Sequence, residues 1–294
     1  HDGPHDGTSA EASAVDQVLD NGSATGRVVV AAVGNEGGKR IHTQKAISAS
    51  TSQSVGIDIP SYTPESGSGN DIFSAQIWFD RDLDAAATLT TPGGVTLTVE
   101  PGESVDSTTS SDGAVAISNS VYSGNSDRVI EVIAVDPTES NTPTSGTWSV
   151  ELKNNSSSST TVNGWIPQNS IGTGSQLITY EGGDTQSTVG VPGTATHAIT
   201  VGSFMHRWRW YGSDDSEHAL PPNENRSANI SLFSSEGPRR DGTQEAYKPE
   251  IAAPGQNTIS SLSQDASSSS ALTIPGGMHV IKKGTSMSAP VVAG

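Results

Sequence analysis

Two short stretches of the sequence carry side chains suited to chemistry at a carbonyl group. In "GTSMSAP" (284–290), Ser286 follows a glycine and a threonine where a helix is expected to begin. Backbone N–H groups and the helix dipole favour negative charge there, so a serine can act as a nucleophile. In "AAVGNEGG" (31–38), the Asn35 amide could donate a hydrogen bond to a developing oxyanion. Taken singly, Asn35 is better explained as a turn residue and Ser286 as a helix N-cap.

The flanking sequence predicts the elements that must hold these residues. Thr8 and Glu11 form a capping box that predicts the start of a helix. The run "RVVVAAV" (27–33) is short, β-branched and bounded by glycine, which is typical of a strand buried on both faces of a parallel sheet. "HAITVGSF" (197–204) predicts a second such strand. Open α/β sheets place their sites in loops that follow these strands, which is where Asn35 lies.

The middle of the chain has a different character. From residue 39 to 182 the sequence is polar, rich in serine and threonine, and alternating, with no helical period. Short strands separated by regular turns predict an inserted antiparallel β-sandwich of the jelly-roll type. Its tryptophans are expected in the core, because each lies in an alternating apolar pattern, although exposed tryptophans would also suit a carbohydrate-binding surface. These tryptophans are Trp78, Trp148 and Trp165.

The order of the motifs carries more information than any one of them. "GPHDGTSAEASAVD", "VVVAAVGNEG", "STVGVPGTATHAITVG", "FSSEGP", "KPEIAAPG" and "GTSMSAPVVAG" follow one another along the chain. Together they resemble the second half of a subtilisin-like serine protease, a subtilase, over residues 1–37 and about 185–294. The resemblance implies an α/β fold: a partial parallel-sheet peptidase domain (1–38 and 183–294) interrupted by the β-sandwich (39–182).

The resemblance also implies roles for individual residues. Ser286 matches the family nucleophile, and Asn35 matches the asparagine of the oxyanion hole. The Val191–Pro192 bond matches a turn that often contains a cis-proline in the family. The strand before Asn35 matches the wall of the pocket for the substrate side chain that precedes the scissile bond, which here comprises Ala32, Val33 and Gly34.

Two parts of the family's catalytic machinery have no match in this sequence. Subtilases order their catalytic residues Asp, His, Ser, so the Asp and His motifs are expected upstream of residue 1. His5 lies in "HDGT" but only 30 positions before Asn35, where the resemblance places a substrate-side loop. Four further histidines have no matching motif and are expected in loops or at the surface: His197, His206, His218 and His279.

The sequence therefore predicts a fragment of a secreted, bacterial subtilisin-like serine endopeptidase. The parent protein is expected to hydrolyse peptide bonds, while the fragment is expected to be inactive, because a serine without its base is a weak nucleophile. Surface exposed by truncation is expected to favour self-association. The alternatives are a protein- or glycan-binding β-sandwich on a degenerate protease scaffold, and a pseudo-protease that has lost its Asp or His.

Composition limits the partners. The 294 residues carry a formal net charge of −17, which argues against nucleic acid as a partner because phosphate binding needs a cationic surface. No apolar run approaches the roughly 18 residues that span a bilayer. The chain lacks cysteine, which excludes disulfides and thiolate–zinc sites. No cofactor is expected with certainty. Two acidic stretches could hold Ca²⁺ through oxygen ligands but are better explained as solvated turns: "DRDLD" (80–84) and "GSDDSE" (212–217).

Overall fold

The computed structural model describes residues 2–80, 83, 85–109, 111–174, 177–222, 229–240, 242 and 247–294. The chain divides into two compact units. The β unit comprises residues 1–4 and 39–185, and the α/β unit comprises residues 5–38 and 186–294. The predicted domain limits, 1–38 with 183–294 and 39–182, stay a prediction.

The described elements follow one another as helix, strands and a final helix. The first part of the chain contains α1 (Ala10–Val18), a 3₁₀ helix (Asp20–Gly22), β1 (Val30–Ala32), β2 (His42–Ile47), β3 (Ser52–Ile59), β4 (Ile72–Phe79), β5 (Ala85–Thr90), β6 (Thr96–Val99), β7 (Ser104–Thr109), β8 (Gly113–Val121), β9 (Arg128–Val135), β10 (Gly146–Asn154), β11 (Thr160–Ser170) and β12 (Thr179–Tyr180). The remainder contains β13 (Ile199–Met205), β14 (Arg209–Tyr211), β15 (Glu217–Ala219), β16 (Ile251–Gln256), β17 (Thr258–Ser261), β18 (His279–Lys282) and α2 (Thr285–Ala293).

The α/β unit is built on a three-stranded sheet of order β1-β13-β16. Both of its strand pairs are parallel, with Ala32 opposite Val201 and Val201 opposite Ile251. Helix α2 packs against all three strands. Two antiparallel hairpins complete the described part of this unit, β14 with β15 and β17 with β18. A parallel sheet therefore supports α2, whose first turn carries Ser286.

The β unit consists of two antiparallel sheets. One has the order β12-β3-β10-β5-β6, and the other has the order β2-β11-β4-β9-β8-β7. A single hydrophobic cluster takes side chains from both sheets, for example Val55 and Ile57 of β3 together with Phe73 and Ile77 of β4. Alternation along each strand produces this cluster, because successive side chains of a strand point to opposite faces.

The three tryptophans of the β unit are buried, as the sequence predicts: Trp78, Trp148 and Trp165. Trp148 packs edge-on against Phe73, with ring centroids 5.1 Å apart. Its indole N–H donates to the Thr144 carbonyl at 2.9 Å, so the polar end of the side chain is satisfied inside the core. None of these tryptophans is exposed in the manner of a carbohydrate-stacking platform.

Two expectations from the sequence need qualification. Mixed sheets with few helices are observed, but most strand pairs are antiparallel, and the parallel pairs among the described residues are those of β1, β13 and β16. The inserted jelly-roll stays a prediction.

The predicted capping box is wrong in detail, because Ser9 caps α1 through its Oγ, which accepts the Ala12 N–H. Thr8 instead hydrogen-bonds to the Asp6 carboxylate through both its N–H and its hydroxyl.

Candidate active site

The loop that carries Asn35 leaves the carboxyl end of β1 and is fixed by hydrogen bonds on both sides. The Val33 N–H donates to Val201 O at 3.1 Å, and the Val33 carbonyl accepts the Gly190 N–H at 2.7 Å. Beyond Asn35, the Glu36 N–H donates to the Ser235 hydroxyl at 3.0 Å. The exposed Asn35 side chain therefore stands on a loop whose backbone is anchored before and after it.

Helix α2 begins at Thr285, directly after a glycine with an unusual backbone conformation. Gly284 has φ 144° and ψ 156°, a combination that L-residues with a side chain rarely adopt. Its N–H donates to Gly255 O of β16 at 2.9 Å. A Cβ at Gly255 would overlap the Ser288 hydroxyl and lie 2.5 Å from the Ser203 hydroxyl. The two glycines thus let the start of α2 lie directly on the sheet.

Thr285 joins the two predicted site residues, which are 251 positions apart. Its backbone N–H donates to Asn35 Oδ1 at 2.8 Å. Its buried hydroxyl lies 3.2 Å from Asn35 Oδ1, from the Gly34 N–H nitrogen and from the Gly34 carbonyl oxygen. Because Thr285 immediately precedes Ser286, this contact brings the asparagine loop and the serine to the same edge of the sheet.

The arrangement leaves two donors without an acceptor. Asn35 Oδ1 is held by Thr285, so the amide nitrogen Nδ2 is the end of the side chain available to donate. Among the described residues, neither Asn35 Nδ2 nor the Ser286 N–H has a hydrogen-bond acceptor, and both residues are exposed. Two such donors beside a serine hydroxyl can stabilise the oxyanion of a tetrahedral intermediate at a carbonyl carbon.

The predicted pocket residues lie along the same strand end. Ala32 and Gly34 are half-buried, whereas the Val33 side chain is fully buried. The Gly34 backbone is occupied on both sides, since its carbonyl also accepts the Ser235 N–H at 3.1 Å. The role of Ala32, Val33 and Gly34 in binding a substrate side chain stays a prediction. The Val191–Pro192 bond, which matches a turn that often contains a cis-proline in the family, is cis.

Three described histidines of the α/β unit contact groups other than Ser286. His5 Nδ1 lies 2.9 Å from Val189 O, in a buried position. His197 packs against Gly22. His218 Nε2 lies 3.0 and 2.9 Å from the two carboxylate oxygens of Asp214, and this hydrogen bond is the main cause that lowers the pKa of Asp214. Burial, followed by the nearby Arg207 charge, lowers the pKa of His206.

The acidic stretches do not provide a matched calcium ligand set. In "GSDDSE", the Asp214 carboxylate is engaged by His218 and by the Ser216 N–H. In "DRDLD", Arg81, Asp82 and Asp84 lie outside the described residues. Within the part of the chain that the structure describes, no three His, Asp or Glu side chains group as metal ligands. No described helix has the length and hydropathy needed to span a bilayer.

Comparison of the sequence with models of known protein families identifies the family of this chain. The family model described as "Subtilase family" (Peptidase_S8) matches residues 2–294. The chain belongs to the subtilase family. No curated protein matches it. Among solved structures, the CspB protease of Clostridium perfringens is similar, with a TM-score of 0.65 and 19% sequence identity. The match covers 100% of this chain but 52% of the CspB chain, so this subtilase chain spans about half of that protein's length. At that identity, the likeness shows the fold alone.

Two residues that hold the candidate site together were not predicted from the sequence. Thr285 is part of the motif "GTSMSAP", but no local sequence pattern indicates that a threonine hydroxyl at the start of a helix will be buried. Gly255 lies in "IAAPGQ" of β16, where a glycine commonly marks an irregularity or a close backbone approach. That pattern does not reveal that the approaching element is α2.

Proposed function

We propose that this subtilase supplies the nucleophile and the oxyanion hole of a serine endopeptidase. Ser286 attacks the carbonyl carbon of a polypeptide substrate, and Asn35 Nδ2 with the Ser286 N–H donates to the oxyanion. The single observation that supports this assignment is the 2.8 Å hydrogen bond from the Thr285 N–H to Asn35 Oδ1, which turns the amide nitrogen outward. Membership of a serine peptidase family supports the reaction class.

The first test is covalent labelling of the native protein, isolated from its source cells, with a fluorophosphonate. Peptide mapping is expected to find the adduct on Ser286. In the native protein, Asn35→Ala is expected to lower turnover of a chromogenic peptide by about 10²–10³-fold, the range measured for loss of the equivalent donor in subtilisin. Asn35→Asp is the matched variant, because it keeps an acceptor for the Thr285 N–H while removing the donor. An adduct on another residue, or an Asn35→Asp enzyme within threefold of wild type, would contradict the assignment.

The 294-residue chain alone is proposed to be inactive. A serine hydroxyl is a weak nucleophile until a base accepts its proton, and no match to the family's Asp and His motifs occurs in this sequence. Hydrolysis of a chromogenic peptide by the purified chain is expected to equal that of its Ser286→Ala variant. Turnover by the wild-type chain that Ser286→Ala abolishes would refute the inactivity while supporting the nucleophile.

We further propose that the protein is exported from a bacterial cell and that the isolated chain self-associates. The net charge of −17 and the absence of cysteine are compatible with an extracellular protease. Exposed apolar side chains of the α/β unit support association: Val18, Val28, Leu232 and Val291. Immunoblotting of the culture medium checks export. Light scattering at micromolar concentration is expected to detect species larger than 30.2 kDa, and a clean monomer would contradict self-association.

The alternative, a protein- or glycan-binding sandwich on a degenerate protease scaffold, stays a prediction that no specific observation favours. The buried tryptophans lend it no support.

A further inference from the structure

Two buried aspartates of the β unit are joined where β4 begins and β9 ends. The Asp71 N–H donates to Asp136 Oδ1 at 2.9 Å, and the Asp136 N–H donates to Asp71 O at 3.2 Å. The relative exposure of each residue is 0%. Neither carboxylate has an ion-pair partner among the described residues. Two buried like charges without a cation are strongly unfavourable, so a counter-charge is expected here.

The two carboxylates differ in how their oxygens are satisfied. Both oxygens of Asp71 accept backbone donors, because its Oδ1 accepts the Gly172 N–H and its Oδ2 accepts the Glu65 N–H at 3.1 Å. In Asp136, Oδ1 is used by Asp71, but Oδ2 is buried and has no hydrogen-bond partner. A fully buried carboxylate oxygen without a donor lacks the group that would balance its charge.

A second oxygen without a donor lies in the loop before β4, next to Asp71. Asn70 lies between two residues whose N–H groups both donate to Asp136, Gly69 to its carbonyl at 2.8 Å and Asp71 to its Oδ1. Asn70 Nδ2 donates to Ser66 O at 2.8 Å, which leaves Oδ1 as the free end of the amide. That Oδ1 is buried and has no partner.

The side chain of Tyr62 lies close enough to Asp71 and Asp136 to be affected by their charges. Burial is the main cause that raises the pKa of Tyr62 to about 12, and the charges of Asp71 and Asp136 raise it further. The Tyr62 hydroxyl donates to the Pro143 carbonyl at 2.5 Å, so the loops before β4 and before β10 meet beside the two aspartates.

We propose that Asp136, Asn70 and Asp71 form a calcium site that ties these loops together. Asp136 Oδ2 and Asn70 Oδ1 are the side-chain ligands, Asp71 contributes its charge, and water or backbone carbonyls complete the shell. Carboxylate, amide and carbonyl oxygens are the ligands of hard cations. A site assembled from irregular loops suits Ca²⁺, which accepts 6–8 oxygens in flexible geometry, better than Mg²⁺, which requires a near-ideal octahedron. The site lies in the β unit and is independent of the proposed peptidase chemistry.

The experiment is thermal unfolding of the purified 294-residue chain in EDTA and in CaCl₂, followed by calorimetric titration with Ca²⁺. Calcium at about 100 times its Kd is expected to raise the melting temperature by about 5–10 °C, with one ion bound per chain. Asp136→Asn is expected to abolish the shift while melting in EDTA at the wild-type temperature or above, because it removes one of two buried like charges.

Two further variants keep the test decisive if Asp136→Asn does not fold. Asn70→Asp adds a charged ligand, so it is expected to lower the melting temperature in EDTA and to tighten calcium binding by about tenfold. Asp112→Asn is the matched control, since Asp112 is equally buried but its Oδ1 accepts the Gly93 N–H and its Oδ2 accepts the Thr91 hydroxyl. It is expected to keep the full calcium shift.

Three results would overturn the proposal. The first is a wild-type melting temperature that is the same in EDTA and in calcium. The second is an equal shift from CaCl₂, MgCl₂ and NaCl at matched ionic strength, which would reflect general screening of a chain with a net charge of −17. The third is a calcium shift that Asp136→Asn leaves intact.

Discussion

Replacing Thr285 by valine removes one buried hydroxyl and changes almost nothing else in shape. The hydroxyl lies 3.2 Å from the Gly34 nitrogen, the Gly34 carbonyl oxygen and Asn35 Oδ1, and Thr285 is completely buried. Valine leaves the Gly34 N–H without an acceptor, and a buried group left unpaired costs about 1–3 kcal/mol. The main-chain bond from the Thr285 N–H to Asn35 Oδ1 remains, so the asparagine loop is expected to loosen rather than detach.

The assay is amide hydrogen exchange at Gly34 in the purified chain, combined with urea unfolding. If exchange proceeds through local opening, 1–3 kcal/mol corresponds to about 5–150-fold faster exchange of that amide. In the native protein, turnover is expected to fall by about tenfold, less than the loss of about 10²–10³ expected for Asn35→Ala, because the donor is misplaced rather than deleted.

Thr285→Ser is the matched control, because it keeps the hydroxyl and deletes a methyl group worth about 0.8 kcal/mol. Exchange at Gly34 is expected to stay within a few-fold of wild type in this variant. If valine and serine change Gly34 exchange equally, or if valine leaves it unchanged, the hydroxyl does not anchor the asparagine loop and the reasoning fails.

Four further predictions concern the same unit. Gly255→Ala is expected to destabilise the chain by about 1–3 kcal/mol in urea unfolding, because its Cβ overlaps the Ser288 hydroxyl. In a double-mutant cycle, adding Ser288→Ala should recover part of that loss. Ser288→Ala alone should stabilise slightly, since its buried hydroxyl has no partner, and any clear destabilisation would contradict this. Gly284→Ala should cost about 1–3 kcal/mol through backbone strain at φ 144°, whereas an unchanged midpoint would mean that the backbone relaxes. The pKa of the Asp214 carboxyl should lie below its ordinary range when it is measured by ¹³C NMR. Its contribution to stability is therefore present at neutral pH and is lost as the pH falls through the lowered pKa. Replacing His218 by glutamine should raise the pKa of Asp214 back towards its ordinary range.

Local sequence patterns predicted the elements of the site better than their extent. The run "RVVVAAV" predicted a strand buried on both faces, but β1 covers only Val30–Ala32, and Val28 is 67% exposed. Among the described residues β1 pairs only with β13, and that ladder begins at Val30 opposite Ile199, with the Val29 carbonyl accepting the Ile199 N–H. A continuous apolar run indicates a strand that is buried on both faces, but it does not indicate how many of its residues pair with a neighbouring strand.

Contacts between distant residues explain what the sequence did not predict. The Thr285 hydroxyl pairs with residues 250 and 251 positions away, and Asp71 pairs with Asp136 across 65 positions. No periodicity or capping pattern encodes such pairs. The capping error has the same origin on a shorter scale, because Asp6 competes for the Thr8 hydroxyl and N–H and leaves Ser9 to cap α1.

The contact through Thr285 couples the two halves of the proposed oxyanion hole mechanically. An amide side chain held by its oxygen can present only its nitrogen elsewhere, so the bond from the Thr285 N–H fixes the direction of Asn35 Nδ2. The next N–H along the chain, that of Ser286, lies in the same first turn of α2. A shift of that turn therefore moves the asparagine donor, the backbone donor and the serine hydroxyl together. Substitutions that displace the turn, such as those at Gly255 and Gly284, should consequently lower turnover of the native protein without selectively weakening either donor, whereas substitution of Asn35 removes one donor and leaves the turn in place.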